Sequence, residues 1–331
     1  MESRTLGSTG RTVSAVGLGT WQLGADWGSV DEGEARGVLE AAVEAGVTFF
    51  DTADVYGDGR SESFIGSFLR DNPGTGVTVA TKMGRRVEQV PENYTLDAFR
   101  EWTDRSRRNL GTDRLDLVQL HCPPGPVFSD DAVYDALETI VAEGRVAAYG
   151  VSVETSEQAL RAMERPNLAS VQIILNAFRR KPLEEVLPRA QETSTAIIAR
   201  VPLASGLLSG RYTRETRFAE TDHRSFNRHG EAFDVGETFS GVDYETGVDA
   251  AAEFAELAAR LGPAGATPAQ VALRWVIDQP GVTSVIPGAR NAEQARANAA
   301  VGAIEPLSGE LREALERLYD ERIRAQVHER W

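Results

Sequence analysis

Asp51, Tyr56, Lys82 and His121 bring a carboxylate, a phenol, an amine and an imidazole, each at or just past the end of a short apolar run. "VTFFDTADVYG" runs into Asp51 and reaches Tyr56 five residues later, "TVATK" ends on Lys82, and "LDLVQLH" ends on His121. A buried ammonium is costly unless paired, and a neighbouring carboxylate supplies the pair. A free phenol, with a pKa of about 10, yields its proton reluctantly at neutral pH. A nearby ammonium stabilises phenolate and lowers that value, each unit being worth about 1.4 kcal/mol. In such a group Asp51 holds Lys82 charged, and Tyr56 serves as general acid to a carbonyl oxygen gaining negative charge. His121 orients the carbonyl or helps relay the proton. A carbonyl that is protonated as its oxygen gains charge suits hydride addition, and hydride requires a nicotinamide cofactor.

Taken singly, these residues have plainer readings. An Asp closing a strand commonly caps a turn, a Tyr in a turn packs, and a His after an apolar run is a hydrogen-bonded structural residue. Lys82 is harder to dismiss. The chain has two lysines, Lys82 and Lys181, among 35 Lys and Arg. A compact ammonium with a tunable pKa does what a planar, always-charged guanidinium cannot; the alternative is chance drift towards Arg.

The elements that must bring the four together follow from alternation. After a polar segment, residues 1–12, suited to a hairpin, strand-like and helix-like runs alternate. The strands read "TVSAVGLG", "VTFFDTA", "GVTVATK", "LDLVQLH", "VAAYGVSV", "SVQIILN", "TAIIAR" and "VTSVIPG", with amphipathic helical runs between and after them. Eight such repeats predict a closed (β/α)8 TIM barrel, an α/β fold with an N-terminal hairpin plug and a C-terminal helix, in which strand ends converge on the chemistry. An open doubly wound sheet is the rival. It would normally carry Gly-x-Gly-x-x-Gly after its first strand, and Gly17-Leu18-Gly19 followed by "TWQLG" lacks the third glycine. No linker divides the chain, so 1–331 is expected to be a single domain. Residues 204–247 form one long connection whose Phe, Tyr and Arg content favours an ordered lid over plain disorder.

At 331 residues and 41% apolar content the chain can bury a large core. No stretch is apolar for long enough to cross a bilayer, and the N-terminus lacks the apolar core of a signal peptide, so a cytoplasmic protein is expected. The formal charge of −15 argues against nucleic acid as a partner. The single cysteine, Cys122, excludes an internal disulfide and any multi-cysteine metal site. Asp51 and His121 are metal-ligand types, but no other strand end offers the His, Asp or Glu to complete a cage, so no metal is expected. His223, His229 and His328 read as exposed loop and tail residues.

"GLGTW", "DTADVYG", "TKMG", "LVQLH", "GVSV", "VPLASGLLSG" and "VIPGAR…EQARAN" occur here in the order and approximate spacing of the aldo-keto reductases, and from about residue 4 to about residue 320 the chain resembles that family. It is similar to the bacterial branch with a long loop after the seventh strand. The resemblance implies an Asp51, Tyr56, Lys82, His121 tetrad and an extended NADP(H), with NAD(H) as the alternative, across the C-terminal face. It implies that Gly19, Thr20 and Trp21 line the nicotinamide site, with Asp51 beside it, and that Trp21 walls the substrate pocket. Ser152 and Gln172 match the residues holding the carboxamide; Val153 stands where an asparagine is usual. Arg200 falls where many members stack an aromatic ring on the nicotinamide, and a planar guanidinium can stack too. Pro202, Leu203, Ser205 and Leu207 follow towards the pyrophosphate. Ile286 and Gly288 lie in the last segment, Gly288 in place of a lysine that often meets the 2′-phosphate. Arg290, Gln294 and Asn298 remain for the adenosine end, and Arg290 can supply phosphate recognition.

The expected activity is NADP(H)-dependent reduction of an aldehyde or ketone. Dehydrogenation of a sugar or polyol by the same site is the alternative, since the site serves both directions. A cofactor-binding regulatory subunit is a third reading. The partner is a small carbonyl or alcohol substrate, with Trp21, Trp27, His223, Arg224 and Phe226 as candidates to shape its pocket.

Overall fold

The structure is a computed structural model and describes residues 1–24 and 31–331. Trp27 therefore lies outside the described residues. Two strands, β1 (Ser3–Thr5) and β2 (Thr12–Ser14), pair antiparallel as a hairpin. Eight more form one parallel sheet in chain order: β3 (Leu18–Gly19), β4 (Phe49–Asp51), β5 (Thr78–Met83), β6 (Leu117–His121), β7 (Tyr149–Ser152), β8 (Ser170–Ile174), β9 (Ala196–Arg200) and β10 (Val282–Val285). Parallel bridges Val16–Val285 and Gly19–Gly288 join the first and last strands, closing the (β/α)8 barrel.

The hairpin is the plug. Leu6 and Val13 are buried with Phe49, Ala80, Leu117, Ala196 and Ile198 in a small interior cluster, separate from the larger core between strands and helices. The tip of the hairpin presses on the strand entries so closely that a Cβ on Gly7 would collide with the Ala169 carbonyl oxygen, and Gly7 has φ 52°.

Helix starts are chemically specified. Thr155 with Gln158 and Thr267 with Gln270 form reciprocal capping boxes, and Thr95, Asp130 and Asn291 cap the helices after them. The strands β5, β6, β7, β8 and β9 are buried along their full lengths, as expected where helices cover one face and side chains fill the other.

Two expectations are corrected. "TVSAVGLG" is not one strand: Thr12–Ser14 pairs back on β1, and only Leu18–Gly19 enters the barrel, so the hairpin occupies 3–14 rather than 1–12. The long connection also ends earlier than residue 247. Asp243 caps an 18-residue helix, Tyr244–Leu261, absent from the sequence reading, and it packs against the C-terminal helix Gly309–Leu318. What remains, 204–243, is a series of short helical turns. Among the described residues, no helix is long and apolar enough to cross a membrane.

Candidate active site

Register sets the site. Gly19 pairs with Asp51, Lys82 with Gln119, His121 with Ser152, and Ser152 with Gln172, so the polar residues gather at one end of the barrel. Tyr56 reaches the same place through a tight turn, its N–H donating to the Ala53 carbonyl. Gly57 makes the turn possible: it has φ 60°, and a Cβ there would collide with the Gly24 carbonyl oxygen.

Lys82 is 1% exposed, and its Nζ donates to Asp51 Oδ1 at 2.5 Å, to the Thr52 carbonyl at 2.9 Å and to the Tyr56 hydroxyl at 3.3 Å. The second oxygen of Asp51 accepts from Gln172 Nε2 at 2.7 Å and from Gln119 Nε2 at 3.3 Å. The His121 ring stands edge-on to Tyr56, centroids 6.0 Å apart, with its Nδ1 buried and, among the described residues, without a hydrogen-bond partner. Trp21 stacks beyond Tyr56 at 6.3 Å.

The electrostatics partly overturn expectation. Burial pushes the Tyr56 hydroxyl up, and although the Lys82 ammonium pulls it down, the net direction is upward from 10.0 rather than downward. Burial would discharge Lys82, but Asp51 and Tyr56 outweigh it and its pKa rises. Burial, with Arg85, Lys82 and Arg200 nearby, drives His121 well below its ordinary range, so its ring is neutral.

One cavity of about 970 Å³ runs from these residues along the strand ends. Asp51, Tyr56 and His121 line it, as do Gly288, Arg290, Gln294 and Asn298; Gly19, Thr20, Trp21, Ser152, Gln172, Arg200, Pro202, Leu203, Ser205 and Ile286 also face it. Lys82 stands behind Tyr56. Leu207 is buried in the large core instead. Gln172 commits its Nε2 to Asp51, which leaves its oxygen for any ligand. Gln294 accepts from the Arg290 N–H and Asn298 donates to the Gly288 carbonyl, so both organise that loop. At Gly288 a Cβ would overlap the Gln22 amide, so no side chain fits there unless Gln22 moves. Val201, Ala204, Ser205 and Gly206 all have positive φ, a strained run beside the cavity.

Sequence reasoning missed a charged cluster. Arg200 donates to Glu154 Oε2 at 2.9 Å and pairs with Glu237 Oε1 at 2.6 Å, while Arg85 meets Glu154 Oε1 at 3.2 Å. Glu154, two residues past β7, corrects the expectation that no other strand end offers a carboxylate. Cys122 Sγ and the two carboxylates lie within 4.8 Å of one another, a ligand-like spacing. Both carboxylates are engaged by guanidiniums, however, and burial pushes the Cys122 thiol up to about 12. Glu237 arrives from the long loop, with no spacing to betray it. Glu154 carried a signal: an acid just past the strand that supplies Ser152.

The long loop covers the site: Tyr212, His223, Arg224, Phe233 and Glu237 line the cavity, whereas Phe226 points outward at 42% exposure. The His223 ring lies 5.1 Å from Trp21 and burial lowers its pKa to about 4. His223 and His328 are buried, against expectation; His328 is held by the Tyr319 hydroxyl and Glu184, both at 2.8 Å, and only His229 is exposed.

Comparison with known proteins agrees with this fold. An uncharacterized oxidoreductase of Mycobacterium tuberculosis is 36% identical, across 92% of this chain and 88% of that protein. The structure of a glycerol dehydrogenase from Gluconobacter oxydans matches with a TM-score of 0.79 at 29% identity, over 97% of this chain and 96% of that one. A Klebsiella pneumoniae aldo-keto reductase in complex with NADPH matches at 0.71 and 28% identity, over 96% of each. A profile of the Aldo/keto reductase family spans residues 15–320, the whole barrel included, and the chain belongs to that family.

Proposed function

We propose that this protein is an NADP(H)-dependent oxidoreductase, acting as one domain, that reduces an aldehyde or ketone to the alcohol with Tyr56 as general acid. The observation that carries it is the buried Lys82 ammonium shared between Asp51 and the Tyr56 hydroxyl at the wall of a 970 Å³ cavity. That volume is at the upper end of small-molecule sites, roughly 300–1,000 Å³, as an extended dinucleotide needs. The residues fit such a group. Gln172 presents an acceptor for a carboxamide, Arg200 is a plane fixed by two carboxylates, and Arg290, Gln294 and Asn298 also line the cavity. The NADPH complex of the Klebsiella relative supports NADPH as the partner.

When bound, reduced nicotinamide supplies the hydride. Tyr56, still protonated at neutral pH, donates its proton to the carbonyl oxygen as that oxygen gains charge, and Lys82 stabilises the phenolate left behind. Asp51, fixed by Gln119 and Gln172, keeps the ammonium charged. Neutral His121 hydrogen-bonds the carbonyl and orients it. Trp21, His223 and Phe233 wall off water. Oxidation of an alcohol runs the same proton path backwards, and the likeness to a glycerol dehydrogenase supports testing alcohols as well.

The test is a panel of carbonyls and alcohols with NADPH, NADH and their oxidised forms, followed at the reduced-nicotinamide absorbance. Turnover with NADPH that falls by about 10²–10⁴ in Tyr56→Phe, with NADPH binding retained, is the expected outcome. Tight NADPH binding with no turnover on any substrate sinks the enzyme reading in favour of a binding subunit.

A further inference from the structure

We propose that Trp331 is a positioning residue for the site: it braces the loop turn that delivers Glu237 to Arg200. Its indole Nε1 donates to Asp234 Oδ1 at 3.1 Å and lies 3.3 Å from Oδ2. Asp234 Oδ1 also accepts from the Gly236 N–H at 2.7 Å, capping the turn Val235–Glu237. The turn ends on Glu237, whose carboxylate reaches into the cavity and pairs with Arg200 Nη1 at 2.6 Å.

The face of the same indole meets a second support. The Arg179 guanidinium lies 3.8 Å from the Trp331 ring, and its Nη2 donates to the Glu154 carbonyl at 2.6 Å. Glu154 is the other carboxylate on Arg200. One side chain thus backs both acids that fix the Arg200 plane. The loop is shaped to receive it: a Cβ on Gly241, which has φ 75°, would collide with the ring, and one on Gly236 would come within 3.1 Å of it. Ser205 closes the circuit from the cavity side, donating to the Glu237 carbonyl and accepting from the Phe239 N–H, both at 3.0 Å.

Buried ion pairs keep their geometry only while their partners are held, because each charge left alone in the interior is costly. Release of Trp331 frees the Asp234 turn, lets Glu237 withdraw and leaves Arg200 held from one side. Arg200 is not part of the proton path, so the effect falls on binding in the cavity rather than on chemistry. This consequence rests on the dinucleotide reading above; the brace itself does not.

The experiment compares Trp331→Ala and Trp331→Phe with the parent. In ligand-free protein, hydrogen exchange at amides 234–239 is expected to quicken about tenfold in Trp331→Ala, while the barrel strands keep their protection. The dissociation constant for NADPH, by fluorescence titration, is expected to rise about tenfold with kcat within about twofold, as loss of one charge-assisted hydrogen bond and one cation–π contact implies. Trp331→Phe keeps the ring over Arg179, loses the donor and falls between. Unchanged exchange at 234–239 in either variant overturns the brace, as does equal loss of protection throughout the barrel. If Trp331→Ala does not fold, Trp331→Phe decides alone. A brace seen by exchange, with no turnover on any substrate, overturns the enzyme reading instead.

Discussion

Asp54, two residues before Tyr56, has no place in the proposed chemistry and carries the largest stability prediction. Its side chain is 1% exposed, and among the described residues no side chain donates to either carboxylate oxygen. Burial first, and then the nearby Glu62 carboxylate, push its pKa from 3.8 to about 7, although Arg86, Arg105 and the Val55 N–H pull the other way. Folding therefore raises the proton affinity of this acid. Below its unfolded value, near 3.8, the group is protonated in both states and costs nothing. As pH rises from there towards 7 the unfolded chain ionises first, and native stability falls by about 1.4 kcal/mol per unit. Above 7 both states are ionised and the full cost, about 4 kcal/mol, is present. Asp54→Asn keeps the shape and removes the charge. Its advantage over the parent is expected to grow by about 3 kcal/mol between pH 5 and pH 8, the two-unit span below the folded pKa. Urea unfolding at the two pH values measures it, because m is unchanged by an isosteric swap and the shift in midpoint gives the difference. An advantage that is the same at both pH values, or a deficit at both, refutes a buried, raised carboxyl at position 54.

Lys82→Arg keeps the charge, but the larger guanidinium does not fit a 1% exposed niche with three fixed acceptors. Activity is expected to fall by about 10² or more while circular dichroism stays native, and near-parental turnover would contradict the proton path. Because burial raises the Tyr56 pKa above 10.0, kcat/KM for reduction is expected to stay flat from about pH 6 to about pH 9 and decline only as the phenol ionises; an inflection near neutrality would contradict it. Arg290→Ala is expected to raise the KM for NADPH by about tenfold or more and leave that for NADH within about threefold, and equal effects on the two would remove Arg290 from phosphate recognition.

The barrel was legible because parallel strands buried on both faces read as continuous apolar runs; β6, β7, β8 and β9 fall inside their predicted segments, and β5 runs one residue past its own, to Met83. The first strand was not, since "TVSAVGLG" has the composition of a strand throughout, and only the long-range pairing of Ser3 with Ser14 divides it. The helix Tyr244–Leu261 carried a legible signal, Asp243 three residues before Thr246 and an Ala-rich run, obscured by reading the long loop as one piece. Lys82 stood out because a charge at the end of an apolar run needs an explanation. Arg85, Glu154, Arg200 and Glu237 come from four separate segments, and no spacing within a segment announces an ion-pair cluster built by the fold. His223 and His328 misled for the same reason: a lone His in a polar stretch says nothing of the Trp21 ring or the Glu184 carboxylate that tertiary structure brings to it.

The sign of the Tyr56 shift changes what the ammonium is for. An amine that simply made the phenol acidic would leave phenolate in the resting site, and phenolate has no proton to give. Here burial resists ionisation of Tyr56 and the ammonium offsets only part of that resistance, so the resting phenol keeps its proton. In the proposed reaction charge moves onto the phenol oxygen as a carbonyl oxygen takes that proton, and Lys82 Nζ, already 3.3 Å away, interacts with it more strongly. An interaction that strengthens only as the reaction proceeds lowers the barrier without stabilising the starting state. Exposure to water would weaken the attraction and lower the resting pKa together, because both follow from the same low-polarity surroundings. A buried lysine locked to Asp51 therefore favours proton release only once an acceptor is present.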